Sequence, residues 1–404
     1  MRILHTSDWH LGRGLHGQDL GEAHAAALDQ VVEAVESHDV DVVVVAGDVY
    51  DRAIPPVGAV ALLNRTLERL CRSAAVIVTP GNHDSAVRLG FGSGLFGENL
   101  HIRSDLNAIH EPVVLRDDHG TVAFYPLPFL DPQTARSNWD PEGQSGIERS
   151  HQAVFEHAMD RVRDSAAAAG HDRCVVVAHA FVVAAAAGGD VAAGDESAAE
   201  VSESERDLSV GGIQTVTADV FAGMSYVALG HLHGAQQPRT AVGSGPVRYS
   251  GSPLRFSFSE ARHTKSVTLV DLAADGSVEL SELPLDQPRG MSRIRGAFDD
   301  LVDPDGPHAD RREDWVEITV TDATRPDEMA ARLRQRFPHM LLAKHVPDRT
   351  GLPPGSSPGG DISPSASPME ILTSFVTDLG GAPPTAAERE VLEDAVHAIF
   401  GAGA

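Results

Sequence analysis

The chain has 404 residues, of which 42% are hydrophobic, so it is long enough to bury a substantial core. Its formal net charge of -26 argues against tight DNA binding by this chain alone, because basic patches supply most of the affinity for a phosphate backbone. The sequence shows neither a secretory leader nor an apolar run of about 18 residues, which predicts a cytoplasmic protein that does not span a membrane.

The two cysteines, Cys71 and Cys174, lie beside or within apolar runs, and neither belongs to a metal-spaced pair. We expect both to be core thiols in a reducing compartment. A structural thiolate site for a metal is therefore excluded.

Apolar runs alternate with helical patterns in the first third of the chain. Residues 40–46 form a continuous β-branched run, which is typical of a strand buried on both faces. The other elements predicted here are a strand at 1–6, helices at 24–36 and 57–70, and a strand at 74–79. This alternation predicts a layered α/β domain.

Further strands are expected at residues 113–115, 122–125 and 174–178. Residues 265–272 and 277–283 flank an Asp275-Gly276 turn and predict a hairpin. Residues 184–206 are rich in Ala, Gly, Ser and Glu and are interpreted as an acidic loop; a neutral surface insertion is the simpler explanation, and a role in substrate access stays open.

The C-terminal part predicts a small α/β unit followed by a tail. Its elements are a strand at 315–320, a helix at 326–336 and a strand at 340–345. Residues 350–368 are rich in Pro, Gly and Ser and predict a flexible linker. In the helical tail, Thr385 and Glu388 form a capping-box pattern. Apolar residues follow at helical spacing, namely Leu392, Ala395, Val396, Ile399 and Phe400.

Five short polar motifs each follow a predicted strand. They are Asp8-Trp9-His10, Gly47-Asp48, Gly81-Asn82-His83-Asp84, Ala178-His179 and Gly230-His231-Leu232-His233. Loops at strand ends converge above a rigid sheet, which is where sites are built. Oxygen and imidazole donors without cysteine suit Mn, Fe or Zn at a hydrolytic centre.

Each motif taken alone has an ordinary explanation. Gly-Asp after a strand is usually a turn, and an isolated residue such as His179 is more often a core histidine. Their joint occurrence predicts one dinuclear centre, with Asp48 bridging two ions about 3.5–4 Å apart. We expect the ring of His83 to face the leaving oxygen, and Asp84 to orient that ring and keep it protonated.

The order of these motifs resembles the calcineurin-like metallophosphoesterase superfamily. The stretches at residues 5–12, 47–52 and 251–253 narrow the resemblance to the SbcD family, the nuclease subunits of bacterial SbcCD complexes. The resemblance implies an α/β fold, a layered α-β-β-α sandwich with a small α/β cap domain and a C-terminal helical tail. It divides the chain into a nuclease domain at 1–284, a DNA-capping domain at 285–348, a linker at 349–368 and a partner-binding tail at 369–404.

The resemblance also implies roles for the motif residues. One metal ion is held by Asp8, His10, Asp48 and His233, and the other by Asp48, Asn82, His179 and His231. His83 is the implied general acid or transition-state stabiliser, supported by Asp84. The implied metal is manganese, while the spacing leaves iron and zinc open. Some relatives carry histidine near position 51, where this chain has Asp51, so no role is transferred to that residue.

The implied activity is manganese-dependent cleavage of DNA, as a double-strand exonuclease and a single-strand and hairpin endonuclease, in DNA repair, recombination and replication. The implied partners are DNA, an SbcC-like ATPase and a second copy of the chain within a heterotetramer, with no membrane. A cyclic-nucleotide phosphodiesterase or a protein phosphatase uses the same kind of site and stays open. A non-catalytic scaffold is disfavoured, because such proteins lose ligands and all seven positions are present here.

Overall fold

The computed structural model describes residues 1–143, 146–184, 215–240, 245–348, 367–380 and 383–400. The acidic loop expected at 184–206 and the linker expected at 350–368 lie almost entirely outside these residues. The chain divides into two compact units, of which the first comprises Met1–Arg293 with Glu313–Trp315, and the second comprises Ile294–Arg312 with Val316–Ala404.

The strands of the described residues are numbered in chain order. They are β1 (Arg2–Thr6), β2 (Gly14–Leu15), β3 (Gln18–Asp19), β4 (Val42–Ala46), β5 (Ala75–Thr79), β6 (Leu100–Ile102), β7 (Val113–Asp117), β8 (Gly120–Pro126), β9 (Cys174–His179), β10 (Phe181–Val183), β11 (Thr215–Thr217), β12 (Tyr226–Gly230), β13 (Val247–Tyr249), β14 (Ser266–Leu272), β15 (Val278–Pro284), β16 (Met291–Gly296), β17 (Trp315–Val320) and β18 (Met340–His345).

The helices are numbered in the same way. They are α1 (Gly21–Ser37), α2 (Val57–Leu70), α3 (Ala86–Leu89), α4 (Pro132–Trp139), α5 (His151–Ala169), α6 (Phe298–Val302), α7 (Met329–Arg336), α8 (Pro368–Gly380) and α9 (Ala386–Phe400). Where the described residues form helices, none is both long enough and apolar enough to cross a membrane.

Two large sheets form the centre of the first unit. One has the strand order β15-β14-β1-β4-β5-β6 and the other the order β13-β12-β9-β8-β7. Strands β1, β4 and β5 run parallel, as do β8, β9 and β12. Parallel strands are normally buried on both faces, and β4 illustrates this, because all five of its residues are buried.

Side-chain alternation along the strands separates three apolar layers. Val42, Val44 and Ala46 of β4 pack with residues of the second sheet, whereas Val43 and Val45 pack on the opposite side with α1 and α2. The outer face of the second sheet packs with α5. The expected α/β class and the α-β-β-α sandwich are therefore confirmed.

The second unit has its own smaller core. It joins Phe298 and Leu301 of α6, Val316 and Ile318 of β17, and Leu333 of α7. The sheet order is β16-β17-β18, with β17 and β18 parallel. Further along the chain α8 packs against α9, so the helical tail is present as two helices.

Several elements differ from the expectations. Helix α5 was not predicted, although Val154, Ala158 and Val162 recur at helical spacing behind Ser150, whose hydroxyl accepts a hydrogen bond from the Ala153 amide. Helix α7 begins at Met329 rather than at residue 326. The tail breaks after α8 because the sequence supplies two glycines and then two prolines before α9.

The capping box expected at the start of α9 is confirmed. The Thr385 amide donates to Glu388 Oε2 at 2.8 Å, and the Glu388 amide donates to Thr385 Oγ1 at 3.4 Å. The same reciprocal pair, Ser367 with Glu370, begins α8 and was missed in the sequence.

Candidate metal centre

The seven predicted ligands meet at one end of the two sheets of the first unit. Asp8 and His10 follow β1, Asp48 follows β4 and Asn82 follows β5, while His179 ends β9 and both His231 and His233 follow β12. These strands are parallel within their own sheets, so their carboxyl ends lie at a common edge. Motifs that are far apart in the sequence are brought together in this way.

The loops that carry the ligands depart from ordinary backbone geometry. Asp8, His10, Asp48 and His231 have φ angles of 53°, 44°, 49° and 108°, a region that non-glycine residues rarely adopt. The Asp8 amide donates to the Gly47 carbonyl at 3.1 Å, and the His10 amide donates to the Asp48 carbonyl at 2.9 Å. Hydrogen bonds between the loops after β1 and β4 thus hold the conformations of Asp8, His10 and Asp48 in place.

Glycine at two motif positions is required by close packing. A Cβ on Gly230 would lie 1.8 Å from the Ala46 carbonyl oxygen, and one on Gly81 would lie 2.2 Å from Asp48 Oδ1. Any side chain at Gly230 would force apart the ends of β4 and β12, which belong to different sheets. Gly230 therefore allows the two sheets to approach closely beneath the centre, and Gly81 allows the loops after β4 and β5 to approach each other.

One group of donors lies around His10. Ligand atoms of Asp8, His10 and His233 come within 4.8 Å of one another. The Nε2 atoms of His10 and His233 face each other at 3.2 Å, and all three side chains are buried. This is the first predicted ligand set, apart from Asp48.

A second group lies around Asn82. Its Oδ1 atom is 2.9 Å from His179 Nε2 and 3.2 Å from His231 Nδ1. His179 Nδ1 is 2.9 Å from the Ala46 carbonyl, which can only accept a hydrogen bond, so Nδ1 carries the hydrogen and Nε2 faces the centre. The residues of the second predicted set are therefore also adjacent to one another.

Asp48 lies between the two groups. Its Oδ2 atom is 3.4 Å from His179 Nε2 and 3.6 Å from His10 Nε2. Its Oδ1 atom accepts a hydrogen bond from the His83 amide at 2.9 Å. This position suits a carboxylate that is shared by two ions, and the bridging role itself stays a prediction.

Burial and the close contacts within the centre shift the pKa values of the predicted ligands. Burial raises the pKa of Asp8 to about 6. Burial lowers the pKa of His231 to about 3 and that of His10 well below its ordinary value. For Asp48, burial opposes ionisation, but the imidazole of His179 and its neighbours outweigh it and lower the pKa. Within the described residues the ion-pair partners of Asp48 are imidazoles, which are charged only when protonated.

Divalent cations supply positive charge without requiring those protons. The donor set of carboxylate oxygens, one amide oxygen and imidazole nitrogens fits such ions, and cysteine is absent from it. Two such ions, if held by these residues, would bind a phosphate and activate water for attack on it. The side chains that would hold these ions are mostly buried.

His83 and Asp84 do not form the expected pair. His83 Nδ1 lies 2.8 Å from the Asp51 carbonyl oxygen, so the carbonyl orients the ring and Nδ1 carries the hydrogen. The Asp84 carboxylate instead accepts backbone hydrogen bonds of 2.9–3.0 Å from Val49, Tyr50 and Gly81. Burial, followed by the nearby Asp48, raises the pKa of Asp84 to about 7.

Asp84 thus joins the loop after β4 to the loop after β5, and these loops carry Asp48 and Asn82. The expectation that Asp84 contacts and orients His83 is therefore wrong, because its carboxylate accepts backbone hydrogen bonds instead. Its short distance from His83 in sequence was misleading, because the carboxylate turns toward the backbone of the loop that carries Asp48.

A cavity of about 510 Å³ opens beside Asn82. Its walls include Phe129, Asp131, Thr134 and Asn138. The Phe129 ring also lies near the ring of His179, with centroids 6.3 Å apart. Asn82 is therefore accessible from this side to a group of small-molecule size.

A further contact to the predicted ligands was not expected from the sequence. Glu260 Oε1 is 3.1 Å from His233 Nδ1, on the opposite side of the ring from His10. Lys265 completes an ion pair with Glu260 at 2.7 Å. One feature of the sequence singled out Lys265. It is one of only two lysines in a chain whose other permanently cationic side chains are arginines.

Comparison with known proteins places the chain among phosphoesterases. Residues 1–235 match the family described as calcineurin-like phosphoesterase, and residues 287–378 match the family described as type 5 capsule protein repressor C-terminal domain. The chain is 30% identical over 344 residues to the SbcD component of the nuclease SbcCD from Staphylococcus saprophyticus, which covers 84% of each protein. The crystal structure of TT1561 from Thermus thermophilus aligns with 70% of this chain and 98% of its own, at 13% identity and a TM-score of 0.38.

Proposed function

Because the chain belongs to the calcineurin-like phosphoesterase family, we propose that it is the nuclease subunit of an SbcCD-type complex, which hydrolyses DNA phosphodiesters with two manganese ions. The observation that carries this proposal is the convergence of seven oxygen and imidazole donors into two adjacent groups that share Asp48. Two ions held in this way suit in-line attack on a phosphodiester.

His83 is the side chain best placed to assist departure of the leaving oxygen. Its ring is 32% exposed, whereas those of His10 and His179 are almost fully buried. Because Nδ1 is engaged by the Asp51 carbonyl, the remaining nitrogen, Nε2, faces the centre 3.9 Å from Asp48 Oδ2. A protonated ring can therefore donate the Nε2 hydrogen to a leaving oxygen, which is general acid catalysis.

The acidic charge of the chain supports a partner in DNA binding. With a net charge of -26, this subunit has little general attraction for a polyanion. An SbcC-like ATPase would supply the missing contacts, as the name of the Staphylococcus relative implies a complex. We infer that cleavage of long duplexes depends on that partner more strongly than cleavage of small phosphodiesters does.

The tail supplies a surface for the ATPase. In the α8–α9 pair, Val396 is buried, whereas Ile371, Phe375 and Val391 are 41%, 57% and 67% exposed. Part of the apolar stripe expected on α9 is therefore turned inward, and the side chains of Ile399 and Phe400 lie outside the described residues. An apolar helical face of this kind suits a groove on a partner protein.

The first unit carries a second apolar surface, which suits another copy of the chain. Ile54, Val57, Val87, Phe91 and Leu95 are between 69% and 90% exposed. The segments that contain them are joined by the Arg88 guanidinium, which donates to the Ala53 carbonyl at 3.3 Å. We call these five residues the 54–95 patch and propose that it forms the interface of a homodimer within a heterotetramer.

A substrate panel tests the proposed activity. Full-length protein loaded with Mn²⁺ is given linear duplex DNA, single-stranded DNA, hairpin DNA, cyclic nucleotides and a phosphopeptide, with Fe²⁺ and Zn²⁺ compared in parallel. We expect cleavage of the DNA substrates, with the highest rate in Mn²⁺. Preferential hydrolysis of the cyclic nucleotides or of the phosphopeptide contradicts the nuclease assignment.

The Asp48→Ala variant is the matched control for the panel. Since Asp48 contacts both donor groups, its loss should remove both ions, and elemental analysis should find almost no metal where the parent chain binds about two ions. Retention of one ion at full occupancy would mean that Asp48 serves a single metal.

A further inference from the structure

A group of three buried side chains lies behind His233. Glu260, Lys265 and Ser252 are 0%, 2% and 0% exposed. The two ring nitrogens of His233 face different surroundings, because Nε2 lies 3.2 Å from His10 Nε2 in the centre and Nδ1 lies 3.1 Å from Glu260 Oε1 behind it. We call these three residues the 252–265 cluster.

The cluster determines which nitrogen of His233 carries the hydrogen. A carboxylate only accepts hydrogen bonds, so the contact with Glu260 places the hydrogen on Nδ1. The neutral ring then presents the Nε2 lone pair to the centre, which is the form that binds a metal ion. Glu260 therefore selects both the tautomer and the rotation of this ring.

Lys265 holds the carboxylate and the backbone of His233 at the same time. Its ammonium donates to Glu260 Oε2 at 2.7 Å, to the His233 carbonyl at 2.8 Å and to Ser252 Oγ at 2.9 Å. All three ammonium hydrogens are engaged. The Ser252 amide adds a second hydrogen bond to the His233 carbonyl at 3.2 Å.

The cluster also accounts for the stretch at residues 251–253, which none of the catalytic roles explains. Gly251 has a φ of 76°, and a Cβ there would lie 2.7 Å from the His233 carbonyl oxygen. Glycine at this position lets the segment that carries Ser252 approach His233 closely. The stretch thus serves the backbone of a predicted ligand.

Stability alone is a poor explanation for such a group. Burial of a charged pair incurs a desolvation cost that the attraction between the charges barely repays, and apolar residues of similar volume often stabilise a core better. By contrast, a carboxylate behind a metal-binding imidazole fixes the ring and raises its basicity, and its removal typically weakens metal binding.

We propose that Glu260 and Lys265 are positioning residues that set the affinity of the ion bound by His233, an inference that rests on the proposed dinuclear site. Glu260 acts on the ring, and Lys265 acts through Glu260 and through the His233 carbonyl. Both side chains are buried behind His233 and are therefore not available for contact with a substrate. Their effect should therefore be specific to one of the two ions.

The test is a Mn²⁺ titration of the full-length, metal-free chain by calorimetry. Glu260→Gln keeps the size of the side chain and removes its charge. We expect binding of one ion to weaken by about 10–100-fold, while binding of the other ion is unchanged. The matched control is Asp117→Asn, which removes a carboxylate from another buried ion pair, with Arg173, and should leave both affinities unchanged.

The outcomes distinguish this inference from the proposed function. If the parent chain binds two ions and Glu260→Gln binds both with parental affinity, the positioning role is wrong while the dinuclear site stands. If the parent chain binds fewer than two ions, both are wrong. Should Glu260→Gln fail to fold, as judged by thermal unfolding without metal, Glu260→Asp replaces it. Aspartate keeps the charge beside Lys265 but withdraws it from His233, and the same loss of one affinity is expected.

Discussion

The ring of His83 is 32% exposed, more than the rings of His10, His179 and His233, and its Nδ1 contacts the Asp51 carbonyl. We expect His83→Ala to keep both ions and to lower the turnover rate by about 10²–10⁴-fold, because the ring assists the leaving group and contributes little to metal binding. Elemental analysis and the initial rate on duplex DNA check this.

His38→Ala is the control for that variant, since His38 Nδ1 also contacts a carbonyl, that of Ala34 at 3.0 Å, but lies at the end of α1 away from the centre. The His38 variant should keep the parental rate. The donor atoms of His83 are close enough to those of His10 and Asp48 for a shared ion. Loss of metal in His83→Ala would therefore make His83 a ligand.

The residues of the centre differ in how far the sequence could reveal them. Asp8, Asp48 and Asn82 belong to motifs at strand ends, so residue type and position were sufficient to bring them together as candidates. Glu260 contacts His233 from a separate loop, and no local pattern links the two. Asp84 shows the opposite failure, because adjacency in sequence to His83 predicted a contact that the backbone of a neighbouring loop makes instead.

Within single elements, the ion pair of Asp117, at the end of β7, tests how much one contact stabilises the second sheet. Its two oxygens accept hydrogen bonds from the Arg173 guanidinium at 3.0 and 2.6 Å, and the side chains are only 11% and 5% exposed. Breaking this pair leaves the buried Arg173 guanidinium without its carboxylate, so Asp117→Asn should lower the free energy of unfolding at pH 7 by about 1–3 kcal/mol.

The pH dependence of that loss follows from the pKa of Asp117. Burial opposes ionisation, but the Met1 amino group, the His119 amide and Arg173 outweigh it and lower the pKa. A lowered pKa means that the carboxylate stabilises the fold above its ordinary pKa of about 3.9, and that this contribution disappears as the pH falls through the folded-state value. Urea unfolding from pH 7 to pH 3 should show parent and variant converging; a constant difference contradicts the assignment.

Elements buried on both faces were the easiest to predict. The run that forms β4 has no polar position, and only a strand between two apolar layers satisfies it. Helix α5 carries an equally regular pattern, but its polar positions are numerous and the pattern was missed. The predicted helical tail consists of two helices because the glycines and prolines between α8 and α9 interrupt it. The packing of α8 on α9 is a tertiary contact, which a local sequence pattern does not contain.

For the whole molecule, the tail should be dispensable for chemistry and required for assembly. Deletion of residues 369–404 should leave metal content and hydrolysis of a small phosphodiester unchanged, because the seven predicted ligands lie in the first unit. Co-purification with the ATPase should fail. Unfolding of the truncated chain, or loss of its ions, would make the tail part of the catalytic core.

The homodimer is tested with two double variants that serve as controls for each other. Phe91→Ser with Leu95→Ser removes apolar area from the 54–95 patch, and Ile371→Ser with Phe375→Ser removes it from the tail. We expect the first pair to convert dimers into monomers in light scattering and to keep ATPase binding. The second pair should keep the dimer and lose ATPase binding. A dimer that persists in the first pair assigns the interface to another surface.

The metal centre takes its donors from both sheets, and the last of them, His233, is encoded far downstream of Asp8. During synthesis on the ribosome, a chain released before residue 233 can contain the first sheet's donors but never the complete set. Binding of both ions would then require the carboxyl ends of strands from both sheets to have come together, since neither sheet holds a full set of donors by itself. Products that terminate before residue 233 lack at least one donor and should therefore bind less metal than the full-length chain.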